Sequence, residues 1–217
     1  MSRTIVRPLV RPLARLAYHD ALERMRAFTA TREAGTPDEI WLVEHPPVFT
    51  LGLATRPEHL LATGDIPVVQ TERGGQVTYH GPGQALAYAL VDLRRHGLMV
   101  RDFVRLIEQA VIEVLAGLGL TAVRREGAPG VYLSAPEGGA GAKIASIGIK
   151  VSRGCTYHGV ALNVAMDLEP FTRIDPCGYP GLTVTDLRSL LGPATPAMET
   201  VATLLGEKLA DLIEGKA

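Results

Sequence analysis

The stretch Arg73-Gly-Gly-Gln-Val-Thr-Tyr-His-Gly-Pro-Gly-Gln84 packs four glycines, an arginine, a histidine and two glutamines into twelve positions. Glycine permits positive φ and lets a backbone come close to another group, while Arg73, Thr78, Tyr79 and His80 carry donors that can converge on a carbonyl or carboxylate. A hairpin between two strands would explain the glycines alone. Polar groups beside them point instead to a bound ligand.

Nucleophilic chemistry has two candidates, the cysteines Cys155 and Cys177. A thiol becomes an effective nucleophile when a nearby positive charge favours its thiolate. Cys177 sits in a Pro-Cys-Gly loop, whereas Cys155 stands at a turn with no evident partner in sequence. Lys143 opens an otherwise apolar strand, where partial burial would help it both lose and regain a proton. From spacing alone the pairing stays open, because a loop cysteine can be incidental and a strand-end lysine can be solvated.

Three other motifs fail. Residues 137–144 lack the terminal glycines and the Ser or Thr after lysine of a phosphate loop. Ser146 lacks the glycine two residues upstream that a nucleophile elbow requires. Cys155 and His158 form one Cys-x-x-His pair without a matching second pair, so no metal site is expected. His45, beside two prolines, reads as a packing or hydrogen-bonding histidine.

The elements that must hold these residues follow from periodicity. Residues 3–10 suggest an opening strand confined to a sheet edge by Pro8 and Pro12. Tyr18, Leu22, Met25 and Phe28 share one face of a helix over about 15–33. Strands are expected at 39–44, 48–51, 67–70, 85–93, 121–124 and 130–133, and a hairpin at 143–151 and 156–164 with Lys143 at its open end. Residues 137–142 read as a flexible connector and 167–182 as a loop. The clearest helix spans 100–118, with Phe103, Val104, Ile107, Ala110, Val111, Val114, Leu115 and Leu118 in one stripe. A short helix near Asp186 and a last one over about 197–213 close the chain. The last has Thr195 as N-cap, Pro196 at N1, and Val201, Leu204, Leu205, Leu209 and Leu212 inward. Without strict βαβ alternation or internal repeat, the expected fold is α+β, one mixed sheet with packed helices, with residues 1–217 as a single domain.

Composition narrows the function. A chain of 217 residues with net charge −1 and pI near 6.6 is not a general nucleic-acid or polybasic membrane binder. No secretory signal or run of about 20 apolar residues occurs, so a cytoplasmic protein with free thiols is expected. Local basic clusters remain at Arg94, Arg95, Arg101 and Arg105, and at Arg124 and Arg125.

Five blocks in order, Glu44–Val48, Arg73–Gln84, Lys143–Gly148, Tyr157–Asn163 and Pro176–Tyr179, closely resemble the octanoyl-[acyl-carrier-protein]:protein octanoyltransferases, the lipoate-protein ligase B family. That resemblance spans about residues 38–182. It implies a fold like the biotin/lipoate protein ligase catalytic domain and a cofactor-free, ATP-independent transfer of octanoyl groups. The donor would be octanoyl-acyl carrier protein. The acceptors would be lipoyl domains of 2-oxoacid dehydrogenase E2 subunits and glycine cleavage H protein. Cys177 would be the thioester nucleophile and Lys143 its partner. Arg73, Gly74, Gly75, Gln76, Val77, Thr78, Tyr79, His80, Ser146, Ile147, Gly148, Gly159, Val160 and Ala161 would line the octanoyl site. The chain departs from many relatives in its glycine- and alanine-rich connector before Lys143, and Cys155 is no part of the catalytic pattern. An ATP-dependent lipoate or octanoate ligase of the same fold, or a non-catalytic acyl-binding module, would use the same pocket. ATP dependence and covalent adduct formation separate the three.

Overall fold

The computed structural model describes residues 6–176 and 181–215. A seven-stranded sheet runs in the order β1 (Leu9–Arg15), β2 (Glu39–Glu44), β6 (Gln84–Leu90), β10 (Cys155–Asn163), β9 (Ala140–Ser152), β8 (Gly130–Ser134) and β7 (Ala122–Arg124). Within this sheet the β1–β2 pair is parallel and the other described pairs are antiparallel. A smaller sheet is ordered β4 (Val68–Gln70), β3 (Val48–Leu51), β5 (Thr78–His80). The mixed sheet with packed helices is the expected α+β class.

Burial decides which strands are central. Every residue of β6 and β10 is buried, and the period of two sorts their side chains onto two faces. Ile40, Leu42, Ala85, Ala87, Ala89, Val160 and Leu162 meet α3 (Val100–Gly117) and α5 (Met198–Glu214) on one face. Trp41, Val43, Leu86, Tyr88 and Ala161 meet α1 (Tyr18–Ala30) on the other. Phe103 is fully buried on α3, and truncating such a ring to alanine costs about 3–5 kcal/mol. At the β9–β10 hairpin the two turn residues Arg153 and Gly154 have φ of 52° and 83°, the sign required by two-residue turns that match strand twist. Arg153 then donates to the carbonyls of Thr29 and Ala30 at the end of α1.

Several boundaries differ from the sequence expectation. The first strand starts at Leu9, and α1 starts only at Tyr18 because β1 extends to Arg15 beside Glu44. Ile5 lies outside the described residues. The glycine-rich connector is shorter than expected, since Ala140 already pairs with Ser134. The loop at 167–182 contains a 3-10 turn, Glu169–Arg173. Asp92 caps a further short helix, α2 (Leu93–His96), which ends at Gly97 with φ 67°. The short helix expected near Asp186 is α4 (Leu187–Leu191), with Asp186 as its N-cap. Thr195 does not cap α5: its hydroxyl donates to Gly192 O, and Ala197 occupies the N-cap position. Leu204 faces outward at 45% exposure, whereas Val201, Leu205 and Leu209 are buried.

One buried ion cluster ties α1, β2, β6 and α2 together. Asp38, 3% exposed, accepts from Arg32, Arg95, His96 and the Asp92 amide, while Arg32 also donates to Leu90 O. Burial alone would raise the Asp38 pKa, but the bonds from His96 and the Asp92 amide and the charges of Arg32 and Arg95 together hold it below the ordinary carboxylate range. Its stabilisation is complete above the unfolded carboxylate pKa near 4 and is lost as pH falls through the depressed native value. Asp38→Ala leaves the guanidinium groups uncompensated, with an expected loss of about 3–5 kcal/mol in urea unfolding. A loss below about 1 kcal/mol would show that the cluster contributes little.

Candidate active site

Arg73 builds the wall on which the site rests. It is 7% exposed, and its guanidinium donates to Thr50 O at 2.7 Å, Thr50 Oγ1 at 2.9 Å, Gln76 O at 2.7 Å and Gly74 O at 3.1 Å. These bonds fold the glycine-rich loop onto β3. The Gly74 amide then donates to Ile149 O, docking the loop against β9. At Gly148 a Cβ would lie 3.0 Å from both Arg73 Cδ and Gly74 O, so the loop comes this close because the side chain is absent.

A cavity of about 380 Å³ opens between this loop and the central strands. All the residues expected to line an acyl site border it except Tyr79. Strand alternation in β5 explains the exception: Thr78 and His80 face the cavity, whereas Tyr79 packs between Phe49 and Phe171 on the other side. Sequence reasoning missed Tyr18, Leu86, Tyr88, Val100, Val104 and His158, which also border the cavity. The helix and strand patterns had assigned Tyr18, Leu86, Tyr88 and Val104 to ordinary core, and Val100 only to the start of a helix. His158 had a visible signal, since it stands in the quoted Tyr157–Asn163 block.

The histidines here are neutral. His80 binds Gln84 Oε1 through Nδ1 at 2.8 Å and approaches the Thr50 hydroxyl through Nε2 at 3.3 Å. Since Gln84 Oε1 only accepts, the proton is on Nδ1. His45 donates from Nδ1 to Leu16 O and accepts at Nε2 from the Tyr88 hydroxyl at 2.6 Å, the structural part expected of it. Burial pushes His45 down to about 4, His158 to about 3 and His80 well below its usual value, the last helped by His45.

Lys143, paired with Tyr132 of β8, adjoins the cavity through Pro129. It is 2% exposed, and its Nζ donates to the carbonyl of cavity-lining Pro129 at 3.1 Å and lies 5.3 Å from the Tyr132 ring centre. A register shift in the β8–β9 pair puts Ile144 and Ala145 both in the helix-side core. Lys143 and Ser146 therefore fall on the opposite face. The Lys143 backbone also bonds Thr183 O and Thr185 N, while Asp175 N bonds His59 O. The chain is thus anchored on both sides of Cys177, which itself lies outside the described residues. Cys155 is buried at the start of β10 beside Arg94 and does not border the cavity.

The basic clusters divide differently from their order in sequence. Arg95 bonds Asp38 and the carbonyls of Ala34 and Thr36, and Arg94 pairs with Asp92. Arg124 bonds Glu108, Gln109 and Arg105 O, joining the exposed Arg101 and Arg105 of α3 beside Val100 and Val104 at the cavity. Among the described residues no group of three or more His, Cys, Asp or Glu is placed to hold a metal ion, and no helix is long and apolar enough to cross a membrane.

Residues 17–210 match the lipoyl protein ligase A/B catalytic domain. The chain belongs to this family. It is 59% identical over 182 residues to the octanoyltransferase of Thiobacillus denitrificans, covering 84% of this chain and 81% of that one, which places it in the octanoyltransferase branch. The bipartite lipoate protein ligase of Thermoplasma acidophilum, solved in a study with its E2 lipoyl domain, has a TM-score of 0.75 at 15% identity, covering 95% of this chain and 84% of that one. The biotin protein ligase of Aquifex aeolicus has a TM-score of 0.57 at 10% identity, covering 94% and 70%. Both share the fold with this octanoyltransferase-family chain.

The depressed histidines give a testable pH dependence. Above about pH 6.5 they are neutral in both folded and unfolded chains; below it the unfolded chain takes up protons that the folded one does not. Stability should therefore fall as pH drops from about 6.5 toward the native values near 4 for His45 and 3 for His158. Imidazole C2-proton resonances of His45, His80 and His158 should show no titration step between pH 8 and 5. A step near 6.5 from any of them would contradict the buried, neutral assignment.

Proposed function

We propose that this chain transfers octanoyl groups from octanoyl-acyl carrier protein to the lysine of lipoyl domains, without ATP, through a thioester on Cys177 assisted by Lys143. The observation that supports it most is the proximity of an acyl-sized cavity to a buried lysine, whose Nζ donates to the carbonyl of cavity-lining Pro129. That lysine is also tied to Thr183 and Thr185, a few residues beyond Cys177. The branch of the family to which the chain belongs supports the octanoyl group. The Thermoplasma acidophilum ligase studied with its E2 lipoyl domain supports the acceptor class, here E2 subunits and glycine cleavage H protein in the cytoplasm.

In this reading the Cys177 thiolate attacks the donor thioester carbonyl. The carrier thiolate leaves and takes a proton from Lys143. The lipoyl-domain amine then attacks the Cys177 thioester, gives its proton to Lys143, and expels the Cys177 thiolate as the amide forms. Thioester exchange changes bond energy little and aminolysis is downhill, so the scheme needs no nucleotide. Burial of roughly six methylenes supplies at most about 5 kcal/mol to hold the chain beside the thiol. The exposed Arg101 and Arg105 beside the cavity offer a surface for an acidic carrier.

Cys177→Ser should abolish both thioester and transfer, while Cys155→Ser keeps most of each; intact mass after incubation with octanoyl-acyl carrier protein, without ATP, reads the adduct directly. Lys143→Arg separates charge from proton transfer, because guanidinium cannot accept the amine proton. It should still form some octanoyl-Cys177 but pass it on at least ~100-fold more slowly in single turnover. Near-wild-type transfer would reduce Lys143 to an electrostatic role, and adduct formation only with ATP would favour the adenylating ligase.

A further inference from the structure

Among the buried positions of α3, otherwise apolar, stands Glu108, 5% exposed. Burying a carboxylate is costly unless it is bonded, and a buried ion pair in general adds no more stability than a well-packed apolar side chain of similar volume. Stability alone gives no reason for a glutamate here. Its bonds give one, because its two oxygens hold both ends of the connection between β7 and β8. Oε2 accepts from Arg124 Nε at 3.1 Å, at the last residue of β7, and Oε1 accepts from the Gly130 amide at 3.2 Å, at the first residue of β8. Arg124 is tied further to α3 through Gln109 Oε1 and Arg105 O. Between these ends residues 125–127 and 129 are exposed, while Gly127, Ala128 and Pro129 border the cavity. Tyr132 adds a third hold by donating its hydroxyl to Ala128 O at 3.2 Å.

The Gly130 amide and the Pro129 carbonyl belong to one peptide group. Partial double-bond character keeps such a group planar, and in the trans form found here its N–H and C=O point in opposite directions. Glu108 holds the group by its N–H, while Lys143 Nζ donates to its oxygen at 3.1 Å. Fixing the N–H therefore fixes the carbonyl that the lysine meets. The fit leaves little slack, since a Cβ on Gly130 would lie 2.6 Å from Lys143 Cε. A carboxylate bonded at the N–H also strengthens the same group's oxygen as an acceptor, because linked hydrogen bonds polarise one another.

We propose that Glu108 is a positioning residue for the transfer reaction: by gripping the Pro129–Gly130 peptide and Arg124 together, it sets the carbonyl that orients the Lys143 amino group. The inference rests on the reading of Lys143 as the proton carrier and adds a residue that touches neither substrate nor thiol. One bond to Pro129 O orients the lysine nitrogen in its charged and its neutral form alike, since each keeps an N–H to donate. A proton carrier needs that constancy, because it must stand in the same place before and after it takes the amine proton. Without the clamp, an exposed turn of five residues would set the carbonyl, and its direction would vary with the turn.

The chain contains four lysines, so side-chain spectra of protein carrying isotope-labelled lysine resolve Lys143, assigned by its absence from Lys143→Arg. In the wild-type protein its ammonium protons should exchange with water about tenfold more slowly than those of an exposed lysine. Glu108→Met removes both acceptors at similar volume. It should lose that protection and pass octanoyl from preformed octanoyl-Cys177 to a lipoyl domain about tenfold more slowly in single turnover. Glu108→Gln keeps an acceptor for the Gly130 amide and should stay within about threefold of wild type in both measurements. If Glu108→Met does not fold, Glu108→Asp, which keeps the charge and shortens the reach by one methylene, should show the same losses. Protection absent from the wild type or surviving in Glu108→Met, or a Glu108→Gln enzyme as slow as Glu108→Met, would overturn the assignment. So would wild-type transfer by Glu108→Met beside a slow Lys143→Ala. Wild-type transfer by Lys143→Ala would instead remove the proton-carrier reading, and the exchange comparison alone would then decide whether Glu108 orients the lysine.

Discussion

The Arg73 guanidinium is the interaction on which the cavity depends. Its donors reach Thr50 O, Thr50 Oγ1, Gly74 O and Gln76 O, converting a glycine-rich loop, costly to order, into a fixed wall. The wall extends inward through Thr50, His80, Gln84 and Asn163, each bonded to the next. In a buried setting such a chain is stable only when its members are satisfied. Arg73 is consequently a positioning residue. Its donors are directed to protein oxygens and orient the loop that borders the cavity.

The sheet supplies the other wall by bringing three strands close together. At Gly159 a Cβ would lie 2.0 Å from Ala87 O, so β10 and β6 meet there only through bare backbone. The register shift at Ile144–Ala145 then leaves Lys143 opposite the helix-side core, where Gly130 makes room for its chain: a Cβ there would meet Lys143 Cε at 2.6 Å. A fully buried lysine is expensive to maintain unless its head group is bonded. Pro129 O supplies such a bond, and the aromatic face of Tyr132 adds a favourable contact.

Much of this was legible beforehand for a physical reason. Strands 39–44 and 48–51 and the helix near 100–117 follow from periodic burial, which is a local pattern. The residues of the glycine-rich stretch that border the cavity were also recoverable, because glycines beside donors are a local signal of close approach. Thr195 misled because its hydroxyl finds Gly192 O, a partner fixed by the preceding 3-10 turn. Leu204 misled because α5 presents only one stripe to the sheet, and residue type alone does not fix the stripe's edge.

The sequence by itself determined the class of fold and the family, since these reside in residue types, spacing and periodicity. Tertiary structure decided how individual residues are used. Tyr79 lies in the same motif as His80, yet alternation along β5 turns it to the Phe49 and Phe171 cluster. Tyr18 and Tyr88 looked like core residues and border the cavity, because α1 and β6 converge there from 70 positions apart. His158 belongs to a strand whose pattern would hide it, and only its left-handed backbone brings the ring to that wall. Such outcomes depend on which surfaces meet, a property of long-range packing that no local window of sequence contains.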